Sequence, residues 1–500
     1  MDIGSQFLTG LAVALQADNL MYCALGVIAG TLVGVLPGIG PTAAIGLLLP
    51  ATYQLSPTSA IIMLAGISYG AMYGGSITSI LVKIPGEAAS VITCMDGYQM
   101  TRNGRAGPAL GIAAFGSFIA GTIAVLGVML LAPTLARVAL KFGAAEYFSL
   151  MLMSLMIVTY LVRGSMINAL IMGALGLFLG SIGMDPINGR ERFTYGFLPL
   201  SDGIGIVPVV IGLFGVAEVL ENIGTRTDLQ VFKVKVRGLL PSRRDWKDSA
   251  FPIARGTTLG FFAGIFPGIS PMIPTFLSYA IEKRLSRHPE KFGTGAIEGV
   301  AAPEACNNAT ATSNFIPLLS LGIPSNAFNA VLLGALMIYG LQPGPALITT
   351  NPDFFWGVIA SMYIGNVMLL ILNVPLIPMW VWLLRIPYHV LAILILVFCF
   401  VGAYSVSNSI YDVVITFVFG FVGIVIKRFG FESAPLILAF VLAPMLEISF
   451  RQSMLFSDGS FSIFVTQPIA LTFIVLSVLV LIAGLVRPKP VFVRESGSED

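Results

Sequence analysis

The sequence predicts an all-α polytopic membrane protein, made of two homologous repeats with broken helices or re-entrant hairpins. Three observations carry that prediction. The chain is 56% hydrophobic and 10% charged, with a mean hydropathy of +0.91, whereas soluble domains carry about 25% charged residues. Runs free of Asp, Glu, Lys and Arg extend between Arg105 and Arg137, Asp353 and Arg385, and Asp458 and Arg487. Each exceeds the roughly 20 apolar residues that cross a bilayer. Finally, Gly34-Val-Leu-Pro37-Gly38-Ile-Gly40-Pro41 returns 230 residues later as Gly264-Ile-Phe-Pro267-Gly268-Ile-Ser270-Pro271.

Taken in order, residues 1–19 lack the basic start of a signal peptide and read as an interfacial helix, with the first span near Leu20–Leu36. The first repeat then occupies residues 20–224. A Pro-Gly pair ends a helix, because Pro has no N–H to donate and Gly tolerates positive φ. Two further matches follow the first. Ile84-Pro85-Gly86-Glu87 pairs with Ile323-Pro324-Ser325-Asn326, and Ala106-Gly107-Pro108-Ala109-Leu110 with Pro343-Gly344-Pro345-Ala346-Leu347. The order is the same and the spacing nearly constant. The slight drift points to extra residues in the second copy, such as the charged stretch Glu282–Lys291.

Residues 225–249 form the linker, with Arg226, Lys233, Lys235, Arg237, Arg243, Arg244 and Lys247. The positive-inside rule places it in the cytoplasm. The second repeat spans residues 250–455, and residues 456–486 add an apolar helix without a partner in the first half. The tail, 487–500, carries Arg487, Lys489 and Arg494 and is also expected inside. Without the added helix, the second repeat begins inside and ends outside, the condition for inverted topology. The N-terminus then faces out. In all, about 11–14 membrane segments are expected, since re-entrant pieces resemble short helices.

Most other chemistry is poorly supported. The net charge of +2 makes no case for nucleic acid. Cys23, Cys94, Cys306 and Cys399 are scattered, and His288 and His389 lie in different halves, so neither a disulfide framework nor a zinc site is indicated. No Walker A pattern, GxSxG, HExxH or regular Arg ladder is present. The reading is therefore not an enzyme, and it calls for no cofactor beyond a coupling ion, Na⁺ or H⁺.

Broken helices at membrane depth are tolerated where the freed backbone lines a cavity or is buried in protein. Matched breaks in two halves point to a transporter's binding site. Backbone N–H groups at the start of a helix can replace the hydration of a carboxylate. On that logic Gly38, Gly40, Thr42, Lys83, Gly268, Ser270, Asn308, Ser325 and Asn326 are candidates for substrate. Ser76, Thr78, Asn307, Thr310, Thr312 and Asn314 are candidates for the cation, because neutral oxygens suit a weakly held ion. Glu87, Glu298 and Glu304 are further candidates for a proton or Na⁺. Plainer readings stand beside these. Lys83 can snorkel to the headgroups, the Asn and Thr residues can join helices, and a Pro-Gly pair can be a packing kink. Duplication of the kinks, and six polar residues in eight across Asn307–Asn314, favour the site.

The motifs Gly34–Pro41, Tyr73-Gly-Gly-Ser-Ile-Thr-Ser-Ile-Leu81, Ile84–Glu87, Phe266–Pro271, Glu298–Asn308 and Leu321–Asn326 together resemble the large membrane subunit of the tripartite tricarboxylate transporter family. The resemblance covers nearly the whole chain. It implies a multi-pass permease of the bacterial inner membrane. The implied partners are a small four-helix membrane subunit and a periplasmic substrate-binding protein. The implied substrates are carboxylates such as citrate, taken up with Na⁺ or H⁺. The alternative is a membrane scaffold or assembly subunit with no transport site of its own.

Overall fold

The computed structural model describes residues 3–36, 40–162, 165–222, 238–383 and 388–486. The chain folds almost entirely into helices. In the first half these are α1 (Ile3–Ala14), α2 (Ala17–Gly34), α3 (Pro41–Leu48), α4 (Pro57–Val82), α5 (Thr93–Arg102), α6 (Ala106–Ala139), α7 (Ala144–Leu161) and α8 (Met166–Gly180). A two-residue hairpin, β1 (Gly183–Met184) and β2 (Glu191–Arg192), precedes α9 (Ile206–Val210) and α10 (Ala217–Asn222). A π-helical turn, Ile211–Val216, joins those two helices.

The second half opens with α11 (Arg243–Ile265), α12 (Met272–Leu285), α13 (Glu298–Ser313), α14 (Phe315–Leu321) and α15 (Ala327–Ile338). There follow α16 (Leu347–Thr350), α17 (Pro352–Met368), α18 (Val374–Leu383), α19 (Tyr388–Ser407) and α20 (Ile410–Arg428). The chain continues through α21 (Ala434–Phe456), α22 (Ile463–Thr466) and α23 (Pro468–Val486).

Among the described residues, nine helices are long and apolar enough to cross a membrane. Four shorter apolar helices accompany them: α1, α3 with its 3₁₀ extension to Thr52, α8 and α15. α11 has the length, at 23 residues, but carries Arg243, Arg244, Asp245, Lys247, Asp248 and Arg255. The chain is thus an all-α, multi-pass membrane protein. The run from Arg105 to Arg137 forms one continuous helix, α6. At 1.5 Å per residue its 34 residues extend about 50 Å, against a hydrocarbon core of about 30 Å, so it crosses with tilt or projects beyond the bilayer. The run from Asp353 to Arg385 holds α17 and α18, joined by a π turn at Leu369–Asn373.

Two helix pairs pack backbone against backbone. Gly26, Gly30 and Gly34 of α2 face the carbonyls of Met63, Ile67 and Ala71 on α4. A Cβ at these glycines would lie 2.3, 2.2 and 2.1 Å from those oxygens. Gly66, Gly70 and Gly74 of α4 return the contact to Cys23, Val27 and Thr31. In the second half Gly256, Gly260 and Gly264 of α11 face the carbonyls of Ala302, Cys306 and Thr310 on α13, with Cβ positions 2.3, 2.3 and 2.5 Å away. Small residues at every fourth position let helix backbones touch, the usual basis of close packing in a membrane. α4 is almost wholly enclosed by its neighbours, whereas α23 is mostly exposed along its length. Enclosed helices form the core and α23 lies at the edge.

This packing makes a prediction. Gly30→Val forces α2 off α4 and is expected to lower stability by about 1–3 kcal/mol, the usual cost of overpacking. Gly173→Val, where nothing lies within 4 Å, is the control. Thermal unfolding of the purified proteins in detergent checks it: equal melting temperatures would contradict the seam.

Candidate functional site

In both halves the second break has the same backbone. α4 is capped by Lys83 at φ +61°, ψ 23°, and α14 by Gly322 at φ +71°, ψ 24°. Ile-Pro and one small residue follow in each copy. Extended residues then start the next helical segment: Glu87 (φ −147°, ψ 166°) and Asn326 (φ −159°, ψ 177°). The Asn326 side chain accepts from the N–H of Asn329 at 3.0 Å, a capping bond. At the first break, α2 ends at Gly34 and α3 starts with Pro41 after extended Gly40. In the second copy Gly268 takes φ +92°, and a Cβ there would meet Ile157 Cγ2 at 2.8 Å. Only glycine suits that place.

These breaks converge on one cavity of about 430 Å³. Gly40 and Thr42 at the start of α3 line it, with Glu87, Ser270, Ser325 and Asn326. The first turns of α3, α12 and α15 therefore face the same space. A helix leaves its first N–H groups without internal partners, and its dipole makes that end attractive to anions. The Ser325 hydroxyl and the Asn326 Nδ2 are buried with no hydrogen-bond partner among the described residues. Three carboxylates, Glu87, Glu218 and Glu432, also line the cavity. Lys427 pairs with Glu218 and, at 2.7 Å, with Glu221.

Beside the cavity lies a buried polar layer centred on α13. Glu304 is 2% exposed. Its carboxylate accepts from Ser76 Oγ at 2.7 Å and Thr93 Oγ1 at 2.5 Å, one residue on each side of the first-half break. One turn further on, Asn307 Nδ2 donates to Glu87 Oε1 at 2.9 Å. Asn308 faces the other way, donating to Ser117 Oγ of α6 at 2.7 Å and to the Glu304 carbonyl at 3.2 Å. Ser117 is therefore part of an interhelical bridge, a common use of polar side chains in membranes.

Residues 20–438 match the model of the tripartite tricarboxylate transporter TctA family. The chain belongs to that family. It is 48% identical over 500 residues to "Uncharacterized 52.8 kDa protein in TAR-I ttuC' 3'region" of Agrobacterium vitis, covering 99% of this chain and 100% of that one. It is also 48% identical over 226 residues to "Uncharacterized protein in TAR-II ttuC' 3'region" of the same organism, covering 45% of this chain and 93% of that one. No solved structure matches. The TctA family is a component of a membrane transport system and not an enzyme class.

In this TctA-family chain, Gly40, Thr42, Gly268, Ser270, Ser325 and Asn326 meet at the cavity as a group. Gly38 lies outside the described residues. Lys83 is exposed and does not line the cavity; it caps α4 in the left-handed conformation that Gly322 takes in the second copy, one that residues other than glycine adopt uncommonly. Asn308 is turned toward α6. None of the cation candidates lines the cavity. Ser76 and Asn307 hold Glu304 and Glu87. Thr78 and Thr310 donate to carbonyls of their own helices, Gly75 at 2.9 Å and Cys306 at 2.8 Å. Thr312 is 5% exposed and Asn314 fully buried, the Asn314 amide having no partner among the described residues. Sequence reasoning missed Glu218 and Glu432, whose neighbours carry no break motif. The acidic pair Glu218 and Glu221, three residues apart beside the basic linker, was the available signal.

A second tie crosses between the halves. Asp96 Oδ1 accepts from the N–H groups of Gly293, Gly295 and Ala296 at 2.9, 2.8 and 2.8 Å, and Oδ2 from Tyr279 Oη at 2.8 Å. Asp96→Ala leaves these donors unpaired, the Tyr279 hydroxyl and the Ala296 N–H buried, at roughly 1–3 kcal/mol for each one water does not reach. The expected outcome is a marked drop in thermal stability, with Asp96→Asn intermediate. An Asp96→Ala protein that melts with the parent would refute the clasp.

Proposed function

We propose that this chain is the permease subunit of a cation-coupled, binding-protein-dependent secondary transporter. It imports carboxylates of the citrate class across the bacterial inner membrane. The observation that supports it best is the meeting of the four break regions at one cavity of about 430 Å³, within the roughly 300–1,000 Å³ of small-molecule sites. In this reading the substrate carboxylates lie against the first turns of α3, α12 and α15. Thr42, Ser270 and Ser325 supply hydroxyl donors, and Asn326 supplies its Nδ2.

The acidic lining supports coupling. Glu87, which forms no ion pair among the described residues, would repel an anion, so a carboxylate enters favourably only with a cation or proton to offset that charge. Cation and substrate then raise one another's affinity by the same factor. The two halves are read as inverted repeats, with the linker and tail in the cytoplasm. The neutral oxygens of Ser76, Thr78, Asn307, Thr310, Thr312 and Asn314 form the layer that orders the break loops when a cation is present. The tripartite family supports the remaining partners, a small four-helix membrane subunit and a periplasmic binding protein.

Uptake of labelled citrate and C4 dicarboxylates tests the reading, in membrane vesicles holding the full chain and the products of adjoining genes. Ser325→Ala and Asn326→Leu are expected to raise the apparent KM by about 5–20-fold, the loss of one or two hydrogen bonds to a charged group. Asn308→Ala, away from the cavity, is expected to leave KM within about twofold. If the cavity variants lose complex assembly while each assembled complex transports normally, the chain is a scaffold and the permease reading fails.

A further inference from the structure

We infer that Glu87 is a proton-carrying group, and that the buried amide of Asn307 reads its protonation state. This rests on the permease reading above, and it assigns the coupling ion as H⁺. Glu87 stands at the cavity wall, within reach of whatever fills the cavity. Its carboxyl forms no ion pair among the described residues.

The second observation lies behind it. Asn307 is 1% exposed and gives Nδ2 to Glu87 Oε1 at 2.9 Å. Its Oδ1 is buried without a donor among the described residues. A buried acceptor left unpaired costs about 1–3 kcal/mol. An ionised carboxylate offers only acceptors, so it cannot satisfy that oxygen. A protonated carboxyl has one O–H to give. It can accept from Nδ2 and donate to Oδ1 at once, the two-point pairing of an acid with a primary amide. Protonation thus completes a pair that the ionised form leaves half-made.

The matched position supports the same conclusion. Asn326, in the same extended conformation, is permanently neutral. The second half shows the break holding an uncharged hydrogen-bonding side chain. In the first half, that state is reached only when Glu87 takes a proton.

The charged surroundings are defined. The 3₁₀ turn Ala88–Val91 after Glu87 packs on α4, α5, α12 and α13. α4 brings Tyr73, and α5 brings Cys94, Asp96, Tyr98 and Arg102. Asp96 is taken up by Tyr279 and the 293–296 loop. On α12, Glu282 is held by Arg255 at 2.6 Å, and Lys283 and Arg284 sit at the far end. α13 brings Glu298 and Glu304, the latter held by Ser76 and Thr93. Exposed Lys83 caps the preceding helix. Across the cavity stand Glu218, paired with Lys427, and Glu432. Glu87 is the cavity carboxyl bonded to the half-satisfied amide.

The step is a simple transfer. A proton from the outer solution binds the Glu87 carboxylate, its negative charge is removed from the cavity wall, and the anionic substrate enters. On the inner side the proton leaves to solvent with the substrate, and the carboxylate is restored.

Infrared difference spectroscopy of the purified full chain between acid and alkaline pH tests this. A protonated-carboxyl C=O band that titrates is expected in the parent. It should be lost in Glu87→Gln, retained with a shifted midpoint in Glu87→Asp, and retained in Glu304→Gln. Uptake of a C4 dicarboxylate, assayed above the pH range in which its own carboxyls titrate, should fall as pH rises in the parent and lose that dependence in Glu87→Gln. A band removed by Glu304→Gln instead, or displaced by Na⁺ at constant pH, overturns the assignment. A Glu87 band without carboxylate uptake by any assembled complex leaves the proton site standing and refutes the permease reading.

Discussion

The structure depends on the contact between helix backbones along two glycine seams. α2 lies on α4, and α11 on α13, with glycines every fourth residue against carbonyl oxygens. The last seam glycine in each copy is Gly34 or Gly264, which is also the first residue of the repeated motif. Its role there differs from that of the Pro-Gly pair that follows. The glycine lets the two helices touch at their ends, and in the second copy Gly268 of the Pro-Gly pair then turns the chain at positive φ. Because each seam ends where its break begins, the break has little freedom of position. In the first half Gly86 is drawn in as well, with a Cβ position 2.3 Å from Gly75 Cα and 2.9 Å from the Gly34 carbonyl. The cavity is placed by backbone packing before any polar side chain takes part.

Much of this was legible in the sequence because breaks leave a chemical mark. Pro41, Gly268, Pro271 and Asn326 each do something only that residue type does well: start a helix, take a positive φ, or cap an end. Reading them at matched spacing located the part of the cavity wall that the breaks supply. The seams were legible too, as Gly26-x₃-Gly30-x₃-Gly34 and Gly256-x₃-Gly260-x₃-Gly264, but an isolated small-residue stripe does not say which helix it faces. Side-chain direction was less accessible. Asn307 and Asn308 are adjacent in sequence, and neighbours on a helix point about 100° apart. One meets Glu87 and the other Ser117 on α6. A run of polar residues therefore carries two duties, and composition alone cannot divide them.

Lys83 illustrates a different limit. A lone cation in apolar surroundings invites a functional reading. Its position in the fold is a left-handed helix cap that the second copy fills with Gly322. That conformation favours glycine and leaves the choice of lysine unexplained; what the structure adds is that its side chain is exposed and lies off the cavity wall. Conversely, Glu218 and Glu432 reach the cavity from segments that have no counterpart among the repeated motifs.

The second breaks of the two halves are alike in backbone and unlike in chemistry. At the cavity the second copy presents Ser270, Ser325 and Asn326, neutral groups that can bind an anion in any protonation state. The first presents Gly40, Thr42 and Glu87, and so contributes the titratable group at a break. Behind Glu87 the supports come from the second half: Asn307 on Glu87 itself, and Glu304 on the residues flanking its break. The first-half break is therefore held by α13, which the second glycine seam holds to α11. A change in charge at Glu87 alters a contact between the halves as well as the cavity wall. That shared contact gives a single group the means to link what the cavity binds to how the two halves fit together.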